Sequence, residues 1–447
     1  TIITYALEWR SRRQTVKPVY STPHPLAGDK VPLTVFDRTA FDIFVPIVFA
    51  YPAPAPSNEA LKEGLRRAVA LYPHLASRLA VDDQGRRFFH LTDEGVQPSR
   101  PSWPTCSMTV WPPQTSTSCT RRFQRRSKLL LTASCFSDNF GAALLQIKLN
   151  RYKCGGLVIG ITSHHQVADG HSMSTFLTTW ASAVRAGKDF NFTAPRPFLD
   201  RAATAVPAPV FDHRSIEFKG GDDGGHSSTP YAVVPMDKIK KVTVHFTDEF
   251  VADLKARVGV RCSTFQCLLA HVWKKITAAR DLELEEFTQV RVAVNCRARA
   301  SPAVPTDFFG NIVLWAFPKL QVKDLLNSSY SRVVDAIRDA VARVDGEYIQ
   351  SFVDFGAAAD ASGEELVATA AAAGTMLSPD LEVDSWLGFQ FHQMDLGTGP
   401  PCAFLPPDLP IEGLMTFVPS RTAKGGVDLF MAVAECHVDA FEQICHS

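Results

Sequence analysis

The residues of this sequence best suited to chemistry are two adjacent histidines followed by an aspartate. Residues 163–170 read SHHQVADG, so that Asp169 stands four residues after His165 and five after His164. A general base that works near neutral pH is well served by imidazole, whose unperturbed pKa is about 6.5. Asp169 could stiffen the turn or hold a cation, and the spacing leaves open whether it contacts His165. The segment is thus a candidate catalytic site with His165 as the base.

Two other interpretations of this segment remain open at this point. Adjacent histidines can be buried core residues that only make hydrogen bonds, and histidine together with aspartate can bind zinc or iron. A metal site needs further ligands, and no second cluster with recognisable spacing occurs in the sequence. The ten cysteines include no Cys-x-x-Cys pair, which is typical of reduced thiols. We therefore expect neither a metal nor a disulfide framework.

A predicted strand and a predicted helix flank the histidines. Residues 157–162 are an apolar run that suits a buried strand, and residues 171–185 place apolar side chains on one helical stripe. The same alternation recurs in both halves of the chain, which are separated by a stretch rich in proline and glycine. The pattern predicts an α/β fold with two domains, 1–187 and 229–447, joined by a crossover at 188–228.

Composition and charge exclude several classes of function. The 447 residues are 46% apolar, and Lys plus Arg equals Asp plus Glu at 46 each. Such a chain has no overall field to attract nucleic acid or an anionic membrane, and the basic stretch 101–126 is interpreted as a solvated loop. Glu8 and Arg10 in the first turns argue against a signal peptide, and the apolar runs are too short to span a bilayer. We expect a cytoplasmic protein with small-molecule partners.

Recognisable motifs occur along nearly the whole chain. Residues 165–170 match the motif H-x-x-x-D-G, and 395–399 stand where D-F-G-W-G would follow it in a related sequence. The other matching segments are 72–79, 197–201, 211–213, 263–273, 295–299 and 309–311. Together these segments resemble the BAHD acyltransferases, a plant family that transfers acyl groups from CoA to alcohols and amines. The resemblance implies two chloramphenicol-acetyltransferase-like α/β domains joined by a crossover loop, with a central channel. It also implies a monomer, a CoA thioester as co-substrate and no permanently bound cofactor.

The resemblance further implies roles for individual residues. His165 would take the proton of the acceptor in mid-channel, while Asp169 would pair with Arg297 as structural support. The family tryptophan that is thought to stabilise the oxyanion is replaced by Thr398, a shorter possible donor. The residues expected to form a structural turn around it are Asp395, Gly397 and Gly399.

Ser263 and Thr264 begin a predicted helix and have two interpretations. The matching family positions lie near the CoA entrance, and free N–H groups at a helix N-terminus can bind phosphate. The sequence STFQ at 263–266 also fits a capping box, which needs no ligand. We expect these two residues to contact CoA.

The acceptor is expected to be an amine and not shikimate. Val45, Ile47 and Leu377 are apolar at positions that resemble polar or cationic ones in shikimate-using relatives, and burying an unpaired carboxylate there would cost on the order of several kcal/mol. Glu382 and Asp384 alternate, so that on an extended segment both would face one side and attract a cation. A solvated acidic loop explains these two residues without a ligand.

The sequence therefore predicts an enzyme that moves a hydroxycinnamoyl group from CoA to an amine such as tryptamine, tyramine or agmatine. One alternative keeps the chemistry and changes the acceptor to shikimate or quinate. Another alternative, from a different class, is a catalytically idle relative that binds a ligand or a partner protein. The absence of the family tryptophan at Thr398 favours this last possibility.

Overall fold

A computed structural model of the chain describes most of its residues. The described ranges are 15–20, 26–83, 85–98, 141–152, 154–191, 209–218, 231–407, 410–420 and 425–447. The basic stretch 101–126 lies outside these ranges, and the crossover 188–228 is described only in part. Both interpretations therefore stay predictions. Within the described ranges, no helix is long and apolar enough to cross a bilayer.

The described elements alternate between strands and helices in both halves of the chain. The strands are β1 (Lys30–Pro32), β2 (Phe44–Tyr51), β3 (Arg78–Val81), β4 (Arg87–His90), β5 (Gln97–Pro98), β6 (Leu145–Arg151), β7 (Leu157–His164), β8 (Ile216–Phe218), β9 (Ala232–Val233), β10 (Ile239–Phe246), β11 (Phe287–Asn295), β12 (Val313–Ala316), β13 (Lys319–Gln321), β14 (Leu366–Ala368), β15 (Thr375–Met376), β16 (Leu381–Ser385), β17 (Ala403–Leu405), β18 (Leu414–Pro419) and β19 (Val427–Ala434). The helices are α1 (Val35–Thr39), α2 (Asn58–Ala70), α3 (Gly170–Ala186), α4 (Asp248–Val258), α5 (Thr264–Ala279), α6 (Val322–Asn327), α7 (Tyr330–Ala342), α8 (Gly346–Ser362) and α9 (Val438–Ile444).

The first sheet positions the two histidines. It has five strands in the order β17-β2-β7-β6-β5. β2 and β7 pair antiparallel along their whole length, from Phe44 opposite His164 to Tyr51 opposite Leu157. Alternate side chains of β2, including Ile47, belong to a core shared with α2 and α3. Because β7 ends at His164, the sheet brings both histidines to the end of a central strand.

Helices α2 and α3 pack against this sheet and against each other. Ser57 caps α2, and Leu61 and Leu65 are buried in the core at the predicted helical spacing. The two helices approach so closely at Gly64 that a Cβ atom there would lie 2.9 Å from the backbone nitrogen of Val184. This packing fixes α3, whose first turn follows the histidine segment directly.

The second sheet carries the acidic segment. It has seven strands in the order β10-β19-β18-β16-β11-β12, with β13 beside β11, and β16 runs parallel to both of its neighbours. Helices α4, α5 and α7 contribute Leu254, Leu268 and Ile337 to the core on one face. Leu381 and Val383 of β16 belong to that core, so the residues between them point to the opposite face.

The two halves exchange short segments. Strand β17 comes from the second half but pairs with β2 of the first sheet, with Ala403 opposite Ala50. Phe391 of the second half lies in the first core, and Val35 of the first half lies in the second core. The predicted unit 229–447 therefore does not pack as a closed domain, since part of it completes the sheet and the core of the first half.

Candidate active site

The two histidines have different surroundings. His165 begins a single 3-10 turn after β7, its backbone N–H donates to the Ile43 carbonyl at 2.9 Å, and its side chain is partly exposed. His164 is fully buried, with its Nε2 atom 3.1 Å from Asp42 Oδ1 and its ring edge-on to Phe44. His164 is therefore a core residue, as one of the alternatives supposed, and His165 is the histidine that a solute can reach.

The surroundings of His165 keep its imidazole neutral at neutral pH. Loss of water around the ring lowers the pKa of His165, and the Asp169 carboxylate nearby only partly opposes the shift. Nδ1 is buried without a hydrogen-bond partner among the described residues. Nε2 does not share this burial, and it makes no hydrogen bond to a described residue. A neutral ring with an open nitrogen can accept a proton.

Asp169 is bound to Arg297 and to the first turn of α3. The two oxygens of Asp169 accept from Arg297 at 2.8 and 3.1 Å, and both side chains are 3% exposed. The same carboxylate accepts the N–H groups of Ser172 at 2.9 Å and Ile312 at 3.1 Å. Burial alone would raise the pKa of Asp169, but the charge and hydrogen bonds of Arg297 outweigh it and lower the pKa. The carboxylate is thus fully engaged in holding the turn.

The segment 395–399 lies far from His165. Asp395 Oδ1 accepts the N–H groups of Gly397 at 2.8 Å and Gly399 at 2.9 Å, and both glycines have positive φ values, +98° and +100°. Arg185, in the last turn of α3, donates to the Asp395 carbonyl. From Gly170 to Arg185 the helix rises roughly 22 Å at 1.5 Å per residue. The segment is a turn at the opposite end of α3 from the histidines.

This position corrects the expectation for Thr398. Its side chain is exposed at the surface turn and does not reach the region of His165. A hydrogen-bond donor must lie about 3 Å from the developing oxyanion to stabilise it. Thr398 is therefore not the oxyanion donor, and the missing tryptophan carries no argument for an idle relative.

Ser263 and Thr264 form the N-terminus of α5 through their own hydrogen bonds. Ser263 Oγ accepts from the Gln266 N–H at 3.1 Å and the Gln266 side chain accepts from the Ser263 N–H at 2.9 Å, which completes the capping box. Thr264 Oγ1 accepts from Lys255 Nζ at 2.9 Å. Contact with CoA stays a prediction for this helix end.

Glu382 and Asp384 share the face of β16 that points away from the second core. Glu382 is 3% exposed, and its carboxylate lies 3.6 Å from Arg291. Burial raises the pKa of Glu382, while Arg291 opposes the shift. Burial and the neighbouring Glu382 raise the pKa of Asp384 to about 7. The Asp384 carboxylate makes no hydrogen bond or ion pair to a described residue. These acids lie on a central strand, so the alternative of a solvated loop is wrong.

A chain of contacts links this acidic pair to the histidine turn. The Arg291 guanidinium stacks 4.2 Å from the Trp315 ring and donates to the Thr369 carbonyl just after β14. Strand β14 packs against α1, and α1 packs against the turn that His165 begins. The sequence analysis did not identify Arg291 as a site residue. A single arginine inside the otherwise apolar run 290–294 was the signal that could have identified it.

The apolar residues predicted to line the acceptor site divide into two groups. Ile47 is 5% exposed in the first core, and Leu377 is 5% exposed in a small cluster with Ala371 and Ile411. Both side chains are covered by neighbouring side chains, and their contact with an acceptor stays a prediction. Val45 is partly exposed, two residues beyond the Ile43 carbonyl that binds the His165 N–H.

Within the described ranges, no three His, Cys, Asp or Glu side chains are grouped so that they could hold a metal ion. The chemistry that the arrangement supports is proton transfer at His165 and binding of a cation at the acidic pair.

Comparison with known proteins gives a consistent result. A model described as the Transferase family matches residues 10–446. Tryptamine benzoyltransferase 1 from Oryza sativa subsp. japonica is 60% identical, over 97% of this chain and 96% of the relative. Tryptamine hydroxycinnamoyltransferase 2 from the same organism is 55% identical, over 98% of each. Agmatine coumaroyltransferase-1 from Hordeum vulgare is 36% identical, over 97% of this chain and 98% of the relative.

Solved structures agree on the fold. Vinorine synthase matches with a TM-score of 0.65 at 19% identity, over 96% of this chain and 95% of that one. F. graminearum TRI101, complexed with coenzyme A and deoxynivalenol, matches with a TM-score of 0.68 at 17% identity, over 93% and 97%. These confirm the predicted chloramphenicol-acetyltransferase-like α/β fold. The chain belongs to the BAHD acyltransferases, and it is an acyltransferase that uses a CoA thioester as co-substrate.

Proposed function

We propose that the protein transfers an aromatic acyl group, hydroxycinnamoyl or benzoyl, from CoA to the amino group of tryptamine. The observation that carries the amine acceptor is the acidic pair Glu382 and Asp384, in which Asp384 has no partner among the described residues. A carboxylate in this state attracts an ammonium group. The relatives at 55–60% identity are named as tryptamine benzoyl- and hydroxycinnamoyltransferases, which supports the same acceptor.

The reaction consists of one bond formed and one bond broken. The acidic pair holds the incoming ammonium, which loses a proton to water, since at neutral pH only about 10⁻³ of an amine with a pKa near 10 is nucleophilic. The amine nitrogen attacks the thioester carbonyl carbon, and His165 Nε2 takes the proton that the nitrogen releases. The C–S bond then breaks, the amide remains, and His165 returns the proton to the CoA sulfur. Asp169 keeps the turn in place throughout.

The acidic pair also disfavours the alternative acceptors shikimate and quinate. Each of these carries a carboxylate, which Glu382 and Asp384 would repel when ionised. Among the described residues, Arg291 is the only cation that contacts the pair, and it already pairs with Glu382 and donates to the Thr369 carbonyl.

We further infer that the enzyme works as a cytoplasmic monomer, with Ser263 and Thr264 near the CoA phosphates. Size-exclusion chromatography with light scattering tests the oligomeric state.

The experiment is an acceptor panel with a variant control. The protein is incubated with benzoyl-CoA or p-coumaroyl-CoA and with tryptamine, tyramine, agmatine, putrescine or shikimate, and free thiol and amide are measured. We expect tryptamine to be acylated, and His165→Ala to lower kcat by about 10² to 10⁴. His171→Ala, a change of another nearby histidine, should keep kcat within a few-fold. Turnover of shikimate without any amine would refute the acceptor, and full activity of His165→Ala would refute the base.

A further inference from the structure

One side-chain amide from the second half of the chain binds the backbone of the histidine turn. Asn311 Nδ2 lies 3.1 Å from the His165 carbonyl oxygen and 2.9 Å from the Gln166 carbonyl oxygen. It also lies 3.0 Å from Asp37 Oδ1. Since all three neighbours are acceptors, the amide can only present its NH2 group to them, and its orientation is fixed.

The backbone of His165 is thereby held on both sides. Its N–H donates to the Ile43 carbonyl within the first half, and its carbonyl accepts from Asn311 of the second half. Asn311 is 5% exposed, so water does not compete for these bonds. The imidazole is attached to this peptide unit, and its place relative to groups of the second half depends on the amide.

Asp37 in turn fixes Asn311. Its side chain is 5% exposed, and Oδ2 accepts the Thr34 N–H and hydroxyl, both at 2.8 Å, in the capping box of α1. That capping role accounts for Oδ2 only, because Oδ1 is directed to Asn311. No described cation forms an ion pair with Asp37, and burial outweighs its neutral donors and raises its pKa to about 6. Burying a carboxylate without a cation costs free energy. Apart from its local capping bonds to Thr34, the bond that the Asp37 carboxylate makes here is the one to Asn311.

We propose that Asn311 and Asp37 are positioning residues for His165. Asn311 places the backbone that carries the imidazole, and Asp37 holds the Asn311 amide with its donors towards that backbone. The inference rests on the proposed function, in which His165 is the base. Displacing a reacting group by about 1 Å can cost about 10²-fold in rate, so the effect is expected in kcat and not in substrate affinity.

A single variant and a double variant separate the positioning of His165 from the stability of the fold. Asn311→Asp removes the donors to His165 and Gln166 and places two carboxylates together, so both kcat and thermal stability should fall. The double variant Asp37→Asn with Asn311→Asp re-forms the bond between the two side chains with reversed polarity, and the amide oxygen introduced at position 37 can still accept from Thr34. The double variant leaves the His165 and Gln166 carbonyls without the donor that Asn311 supplied. We expect the double variant to regain part of the lost Tm while kcat stays about 10²-fold low and both KM values stay within about threefold.

The outcomes distinguish a failure of this inference from a failure of the proposed function. Asn327→Asp, the same change at an exposed asparagine, is the control and should leave kcat unchanged. If the double variant regains kcat together with Tm, or if either variant is folded and keeps wild-type kcat, the positioning role is excluded. Should Asn311→Asp not fold, the double variant alone decides. A wild-type protein that acylates no amine would instead reject the proposed function, whatever these variants do.

Discussion

Replacing Arg297 by methionine tests the structural role of the Asp169 ion pair. Arg297 makes two hydrogen bonds to Asp169 and one to Ser172, together with bonds to the Phe308 and Gly310 carbonyls. Methionine fills similar space without any donor, so it leaves the Asp169 carboxylate buried with only two N–H partners. Removing one member of a buried pair typically costs about 3–5 kcal/mol of unfolding free energy. We expect a loss of this size at pH 8.

The matched control is a pair with the same geometry at the surface. Arg38 also makes two parallel bonds to an aspartate, Asp360, at 2.7 and 3.1 Å, but the Asp360 side chain is 58% exposed. Exposed pairs contribute about 0–1 kcal/mol, so Arg38→Met should change stability little. Urea denaturation followed by tryptophan fluorescence measures both variants. A loss for Arg297→Met no larger than that for Arg38→Met would refute the reasoning.

The pH dependence of this loss identifies the carboxylate as its cause. In the wild type, Arg297 holds the pKa of Asp169 below its usual range, so Asp169 stays ionised and its contribution is constant between pH 5 and 8. Without Arg297, only the N–H groups of Ser172 and Ile312 still oppose the effect of burial, and we expect the folded-state pKa of Asp169 to rise above the unfolded value of about 3.9. The variant then gains stability as pH falls through that pKa. The difference between variant and wild type should be smaller at pH 5 than at pH 8, and equal losses would show that lost packing is responsible.

Three further predictions concern single side chains. Thr398→Ala should keep kcat within about twofold, because the residue is exposed at the far end of α3, whereas a loss of about 10²-fold would restore its oxyanion role. The KM for tryptamine should fall from pH 6 to pH 8, because the pKa of Asp384 is about 7 and only its ionised form attracts the ammonium, which stays protonated in this range. Asp384→Asn should abolish that dependence and leave the KM for acyl-CoA unchanged. Ser263→Ala and Ser57→Ala should each lose about 1 kcal/mol of capping, but only Ser263→Ala should raise the KM for acyl-CoA, and equal KM values would reject its contact with CoA.

Local features of the structure could be predicted from neighbouring residues. The Ser57 cap, the buried stripe of α2 and the capping box at Ser263 follow from side chains three or four positions apart. The strand predicted at 157–162 lies within β7, and its end places the histidines as expected. Such features depend on bonds within one element, which spacing along the chain can indicate.

Features that depend on distant parts of the chain could not be predicted in this way. Asp37 and Asn311 are 274 positions apart, and nothing in their own segments indicates that they meet. Strand β17 has only three residues, too few for a pattern that would show which sheet it joins. The surroundings of Leu377 were unpredictable for the same reason, since the side chains that cover it come from other segments, including Ile411.

The acidic strand shows how a correct pattern can still leave the chemistry undetermined. Alternation at Glu382 and Asp384 predicts a shared face, and the structure has that face, but the charge of the face depends on a third residue from a neighbouring strand. Arg291 stands opposite Glu382 in the parallel register and offsets its charge. On this face, within the described part of the chain, the carboxylate of Asp384 then remains uncompensated. A single carboxylate matches an acceptor with one ammonium group, such as tryptamine, better than it matches the two cationic groups of agmatine or putrescine.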